Sequence, residues 1–174
     1  MIKKRLIPTA ICFTFFFISC STISEMTGNS VAFQKNLTIK SKTYEFIEGV
    51  TTVNRLKVRY IGFWRTYSLS FLEYIMPGEL PFYAVEILVD GQGWTFYEDL
   101  DAKIDTQIYR FTDENPSRNV ISGGRTQEVI SAILTMDLIK EIHNASSLSI
   151  GLGTNIFQIT EEELAAIKDF LPKS

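Results

Sequence analysis

Over residues 37–111 the signals are mostly strand, and the clearest is a period-two alternation of the kind shown by strands that bury one face. Leu56, Val58 and Tyr60 alternate with Arg55, Lys57 and Arg59, and Tyr83, Val85, Ile87 and Val89 alternate with Phe82, Ala84, Glu86 and Leu88. The segment from Asp90 to Trp94 is a turn signal, because Gly91 and Gly93 can take positive φ, and it predicts a hairpin return over residues 94–97. Pro77 and Pro81 separate a strand at 71–75 from one starting at Phe82, since proline cannot donate to a ladder. Residues 104–111 predict one further strand. Residues 112–125, with Pro116, Gly123 and Gly124, read as the longest connection inside the domain. Residues 126–134 fit helix or strand by period, and their β-branched content and length favour strand.

The last third of the chain changes period. Thr135 can cap a short helix to about Asn144, with Leu138, Ile139 and Ile142 on one side. Leu148 and Ile150 lead to a turn at Gly151, Leu152 and Gly153, and the chain returns through Ile156, Phe157 and Ile159. Thr160, Glu161, Glu162 and Glu163 spell a capping box, in which hydroxyl and carboxylate each satisfy a free amide at the helix start. The helix that follows carries Leu164, Ile167, Phe170 and Leu171, and Pro172 ends it. The expected fold is α+β, mainly antiparallel β as a sheet or sandwich, with two short helices in the C-terminal third.

The N-terminus has a different character. Lys3, Lys4 and Arg5 precede an almost wholly apolar run over residues 6–19 that holds Pro8. A basic head and a short apolar stretch form the layout of an export signal, and the run is well short of the ~20 residues that span a bilayer. It ends in Phe17, Ile18, Ser19 and Cys20, which resembles the lipobox of bacterial lipoproteins, with Phe17 in place of the more usual leucine. The resemblance covers residues 1–20 only. It implies a signal peptide over 1–19, removed by cleavage before Cys20, and a diacylglycerol with further acyl (palmitate-type) chains on Cys20. Ser21 resembles the residue that follows the cysteine in outer-membrane lipoproteins. The implied location is the cell envelope, by a lipid anchor, at the outer membrane. Several acyl chains hold firmly, since each buried methylene contributes about 0.8 kcal/mol. Residues 20–34 then read as lipidated cysteine and tether, and 35–174 as a single β-rich domain.

Composition narrows the chemistry. Loss of residues 1–19 removes three of the 17 basic side chains and leaves all 20 acidic ones, a formal charge of about −6. Such a domain is a poor nonspecific nucleic-acid binder, which needs cations to offset phosphate. Cys12 leaves with the signal and Cys20 takes the lipid, so the mature fold has no thiol for a disulfide, a nucleophile or a metal. His143, the sole histidine, sits at a predicted helix C-terminus, where the dipole favours a cation; with no second histidine, a zinc site is not expected. Glu98, Asp99, Asp101 and Asp105 could offer oxygen ligands or a glycosidase pair, but lack the glycine turn and fixed spacing of a calcium loop and read as a solvated corner. No cofactor motif is present: Gly123-Gly124 lacks the lysine of a phosphate-binding loop.

One basic pattern invites a site. If residues 37–43 pair antiparallel with 55–60 so that Ile39 faces Val58, Lys40 lies opposite Lys57 and Lys42 opposite Arg55. Arg59 extends the same face, and five like charges there would repel one another unless an anionic partner met them. The expected role is a lipid-anchored, non-enzymatic binding or structural module. Its partners would be the membrane through Cys20 and an anionic envelope component or another envelope protein. An envelope hydrolase using carboxylates, and a surface lipoprotein that contacts host molecules, stay open as alternatives.

Overall fold

A computed structural model of the chain describes residues 34–46, 49–62, 65–113 and 116–173, all within one compact unit, Ala32–Ser174. The export signal, Cys20 and nearly all of the tether lie outside the described residues. Ten strands and two helices follow in order: β1 (Gln34–Phe46), β2 (Gly49–Gly62), β3 (Thr66–Ile75), β4 (Phe82–Gly91), β5 (Asp99–Ile104), β6 (Gln107–Thr112), β7 (Ser117–Ile121), β8 (Arg125–Leu134), α1 (Met136–Asn144), β9 (Leu148–Leu152), β10 (Asn155–Gln158) and α2 (Glu161–Phe170). They make two antiparallel sheets, one of six strands in the order β1-β2-β3-β4-β8-β7 and one of four in the order β10-β9-β5-β6. The architecture is therefore α+β and mainly antiparallel, with both helices in the C-terminal third.

The sheets share one core. Leu56, Val58, Leu69, Phe71, Val85, Ile87 and Ile130 of the large sheet pack in a single buried cluster with Leu100, Ile104, Ile150, Leu152 and Phe157 of the small one. Leu138, Ile139 and Ile142 of α1 and Leu164 and Ile167 of α2 belong to the same cluster. The helices form where the sequence supplies caps: the Thr135 hydroxyl accepts from the Leu138 amide, and Thr160 and Glu163 close a complete capping box. β3 and β4 are buried on both faces along their centres, over residues 69–72 and 83–87. The alternation expected of β4 is correspondingly incomplete, since Phe82, Ala84 and Leu88 on its second face are apolar too.

Four expectations need correction. The predicted hairpin return over 94–97 does not form: residues 94–98 have no regular structure, and β4 pairs instead with β8, Gly91 facing Thr126. Residues 104–111 are not one strand, because a turn at Asp105 and Thr106 splits them between β5 and β6, with Asp105 at φ 51°. Asp105 holds that conformation because its Oδ1 accepts from the amides and hydroxyls of Ser146 and Ser147. The connection at 112–125 contains strand β7, which pairs with β8 from Ser117–Val129 to Ile121–Arg125. The turn expected at 151–153 falls later, since Leu152 still pairs, with Asn155.

Candidate functional site

β1 and β2 pair antiparallel, two residues away from the expected register: Ile39 faces Leu56, Lys40 faces Arg55, and Thr38 faces Lys57. Directly opposed residues share a face, and a shift of two preserves face identity where a shift of one would invert it. Lys40, Lys42, Arg55 and Lys57 consequently line one face of the large sheet, opposite to Leu56 and Phe71. Lys40 and Lys42 are exposed and Lys57 is half-buried. The face is also aromatic: Lys42 Nζ lies 4.7 Å from the centre of the Tyr44 ring, and Tyr74 stacks on Phe82 with centroids 4.5 Å apart.

Arg55 is not an unopposed charge. Its Nη2 lies 3.0 Å from Oε1 of Glu86, a residue two strands away on the same face. Burial raises the Glu86 carboxyl above its ordinary value, and Arg55 only partly opposes that. Burial also raises the Tyr74 hydroxyl, with the negative charge of Glu86 adding to it. An acid whose pKa is raised on folding contributes stability below its unfolded value and loses it as pH climbs through the folded one. Glu86→Gln should therefore leave stability unchanged or raise it by about 1 kcal/mol near neutrality, since Arg55 can turn to water. Thermal melts from acid to neutral pH check this: the advantage of the variant should grow with pH.

Arg59 departs from the expected patch. A bulge between Lys57 and Arg59 inserts one residue into β2, so Val58 and Arg59 both turn inward. Arg59 is 5% exposed and forms a two-pronged ion pair with Glu163, Nε to Oε1 at 3.1 Å and Nη2 to Oε2 at 2.5 Å. Glu163 also accepts from the Thr160 amide, so β2 is bound to the first turn of α2. The sequence-defined set of five cations is a structural set of four plus one buried lock.

The acidic candidates disperse. Asp101 takes Arg110, Asp99 accepts from Thr112, and Asp105 is committed to Ser146 and Ser147. Among the described residues no three acidic, histidine or cysteine side chains gather as a metal site would require. His143 is half-buried at the end of α1, its Nε2 3.0 Å from the Pro172 carbonyl, where it ties α1 to the chain leaving α2. A shallow pocket of about 390 Å³ lies beside the β5–β6 turn, lined by Ile104, Asp105, Thr106, Gln107, Glu141 and Asn144. The Tyr109 hydroxyl bridges Gln107 and Glu141, and the bond to Glu141 raises its pKa.

Sequence reasoning missed Glu128 on β8. It is 1% exposed, and its carboxylate accepts from the Thr95 amide at 2.5 Å, the Thr95 hydroxyl at 2.6 Å, the Phe96 amide at 3.0 Å and Arg118 Nε at 3.3 Å. Burial alone would raise this carboxyl, but the donors outweigh it and hold the pKa below the usual range. The one available signal was a glutamate amid the apolar run of 126–134, a position where only a satisfied charge is tolerated. Three charged residues of the 112–125 connection are held within the fold: Arg118 joins this cluster, Asp113 accepts from the Ser131 amide, and Arg125 pairs with Asp90 at 2.7 Å, while Glu114 lies outside the described residues. No family model, curated protein or solved structure matches the chain.

Proposed function

We propose that this protein is a lipid-anchored component of the bacterial cell envelope that acts by binding, through the face bearing Lys40, Lys42, Arg55 and Lys57, to an anionic partner. The β1–β2 register supports this reading, since it gathers the cations of an acidic domain on one sheet face beside aromatic rings. The Cys20 motif supplies the location. Residues 21–33 can extend at most about 45 Å from a lipidated Cys20 to β1, so the first strand to follow the anchor carries two of the lysines. Cations near an anionic surface contribute about 1 kcal/mol each, and that attraction fades beyond a Debye length.

Two measurements test it. The intact mass of the membrane-extracted protein should lack residues 1–19 and gain acyl groups, and Cys20→Ala should remove both changes. The lysines are tested on phosphatidylglycerol-containing vesicles, with phosphatidylcholine vesicles as control. The Lys40→Ala, Lys42→Ala, Lys57→Ala triple variant, made from residue 21 onward so that neither the export signal nor the anchor is present, should bind on the order of 100-fold more weakly than the unsubstituted protein made the same way. That difference should shrink as salt rises. Equal binding of both proteins at low salt would sink the cationic-face reading and leave the anchor untouched.

A further inference from the structure

The segment that enters the second sheet, residues 91–98, is tied down almost atom by atom. The carbonyls of Gly91 and Gly93 accept from the Thr126 hydroxyl, those of Gln92 and Gly93 from Arg65, that of Tyr97 from Arg118 and that of Glu98 from the Asp113 amide. The amides of Thr95 and Phe96 donate to Glu128. Such fixation ordinarily serves packing, yet two of the three aromatic side chains here do not join the core. Among the described residues Tyr97 packs against the core cluster, whereas half-buried Trp94 and Phe96, 64% exposed, are not part of it.

Phe96 also has a φ of 56°, a left-handed conformation that a bulky side chain adopts at a cost and glycine adopts freely. Folding therefore favours glycine at this position. A phenylalanine that packs on little, held in strain by a buried carboxylate, is the pattern of a side chain kept for what it meets outside the fold. The Trp94 and Phe96 rings stand 6.4 Å apart at 45°, and the Arg118 guanidinium lies 5.4 Å from the Phe96 centroid. Together they make a small rigid platform at the β7–β8 edge of the large sheet, across the sheet from the lysines of β1.

The chemistry beside the rings selects the ligand. The Glu98 side chain is 66% exposed and Asp99 is exposed, so phosphate- or sulfate-bearing groups and an anionic headgroup layer are disfavoured here. A sugar ring offers polarised C–H groups to the negative face of an aromatic ring, and hydroxyls that a carboxylate and a guanidinium can bind together. We propose that Trp94 and Phe96 form a binding platform for an uncharged glycan, with Glu98 and Arg118 as hydroxyl partners. The platform is separate from the cationic face and stands without it.

The test uses the full chain in detergent with Trp64→Phe, so that Trp94 alone reports. It is titrated with two neutral β-linked probes, cellohexaose and chitohexaose, by fluorescence and calorimetry. Saturable binding to at least one probe is expected, with at least a tenfold loss in Phe96→Gly and in Trp94→Ala by calorimetry. Phe96→Gly should melt at the same temperature or higher. Failure of both probes to bind, or unchanged affinity in Phe96→Gly, would overturn the proposal. A lower melting temperature in Phe96→Gly would equally overturn it, by showing that the ring stabilises the fold. Concentration-dependent self-association that Phe96→Gly abolishes would assign the rings to a second copy of the chain, and the glycan platform would be discarded.

Discussion

Arg59→Ala should destabilise the folded domain by about 3–5 kcal/mol, because it leaves the Glu163 carboxylate, 2% exposed, without its two-pronged partner. Only the Thr160 amide and its share of the capping box remain to solvate that charge. Burial alone would raise the Glu163 carboxyl, but Arg59 and the Thr160 donors outweigh it and the net shift is downward. A depressed carboxyl contributes stability above its unfolded value, about 4.3, and that contribution is lost as pH falls through the folded one. Without Arg59 burial dominates, the folded pKa rises, and the sign inverts. The cost of Arg59→Ala should therefore be largest near neutrality and shrink on acidification, in urea titrations run at several pH values. The Arg59→Met, Glu163→Gln pair should recover much of the loss, since neither member leaves a buried charge. A double variant as unstable as Arg59→Ala at pH 7 would mean that the loss comes from the missing ion pair itself and not from a stranded Glu163 charge.

Arg59 also shows where the sequence stops being legible. Period-two alternation assigned Leu56, Val58 and Tyr60 to one face and Arg55, Lys57 and Arg59 to the other, and it holds up to Lys57. A bulge adds one residue without any change of composition, so no hydrophobicity pattern announces it, yet it transfers a charge from one face to the other. Register was open for a related reason. Ile39 can face Leu56 or Val58 with the same faces buried, so patterning decides which side the lysines occupy but not which residues they oppose. The helices were readable because their signals are local: Thr135 and Thr160 each cap within three residues. The expected return over 94–97 does not form, because the turn residues from Asp90 to Trp94 close no hairpin. What they serve is a crossing to the second sheet, fixed by Glu128 some thirty residues later in the chain.

Glu128→Ala should be comparably damaging, about 3–5 kcal/mol, and its damage should be local first. The Thr95 amide, the Thr95 hydroxyl and the Phe96 amide all lose their acceptor, and the strain at Phe96 loses what opposes it. Glutamine is not a conservative replacement, because its amide nitrogen would confront one of these donors, so Glu128→Gln should sit close to Glu128→Ala. Amide hydrogen exchange reads the outcome by residue: Thr95 and Phe96 should lose protection, while Leu164 and Ile167 of α2 keep theirs. Arg59→Ala should give the reverse. In the wild-type protein the depressed Glu128 carboxyl should release the same loop on acidification, below the unfolded glutamate value of about 4.3. Uniform loss of protection across β8, the loop and α2 in both variants would show one cooperative unit rather than two separable locks. If they are separable, the Glu128 lock can be opened alone, and the Trp94–Phe96 platform is lost while the rest of the domain stays folded.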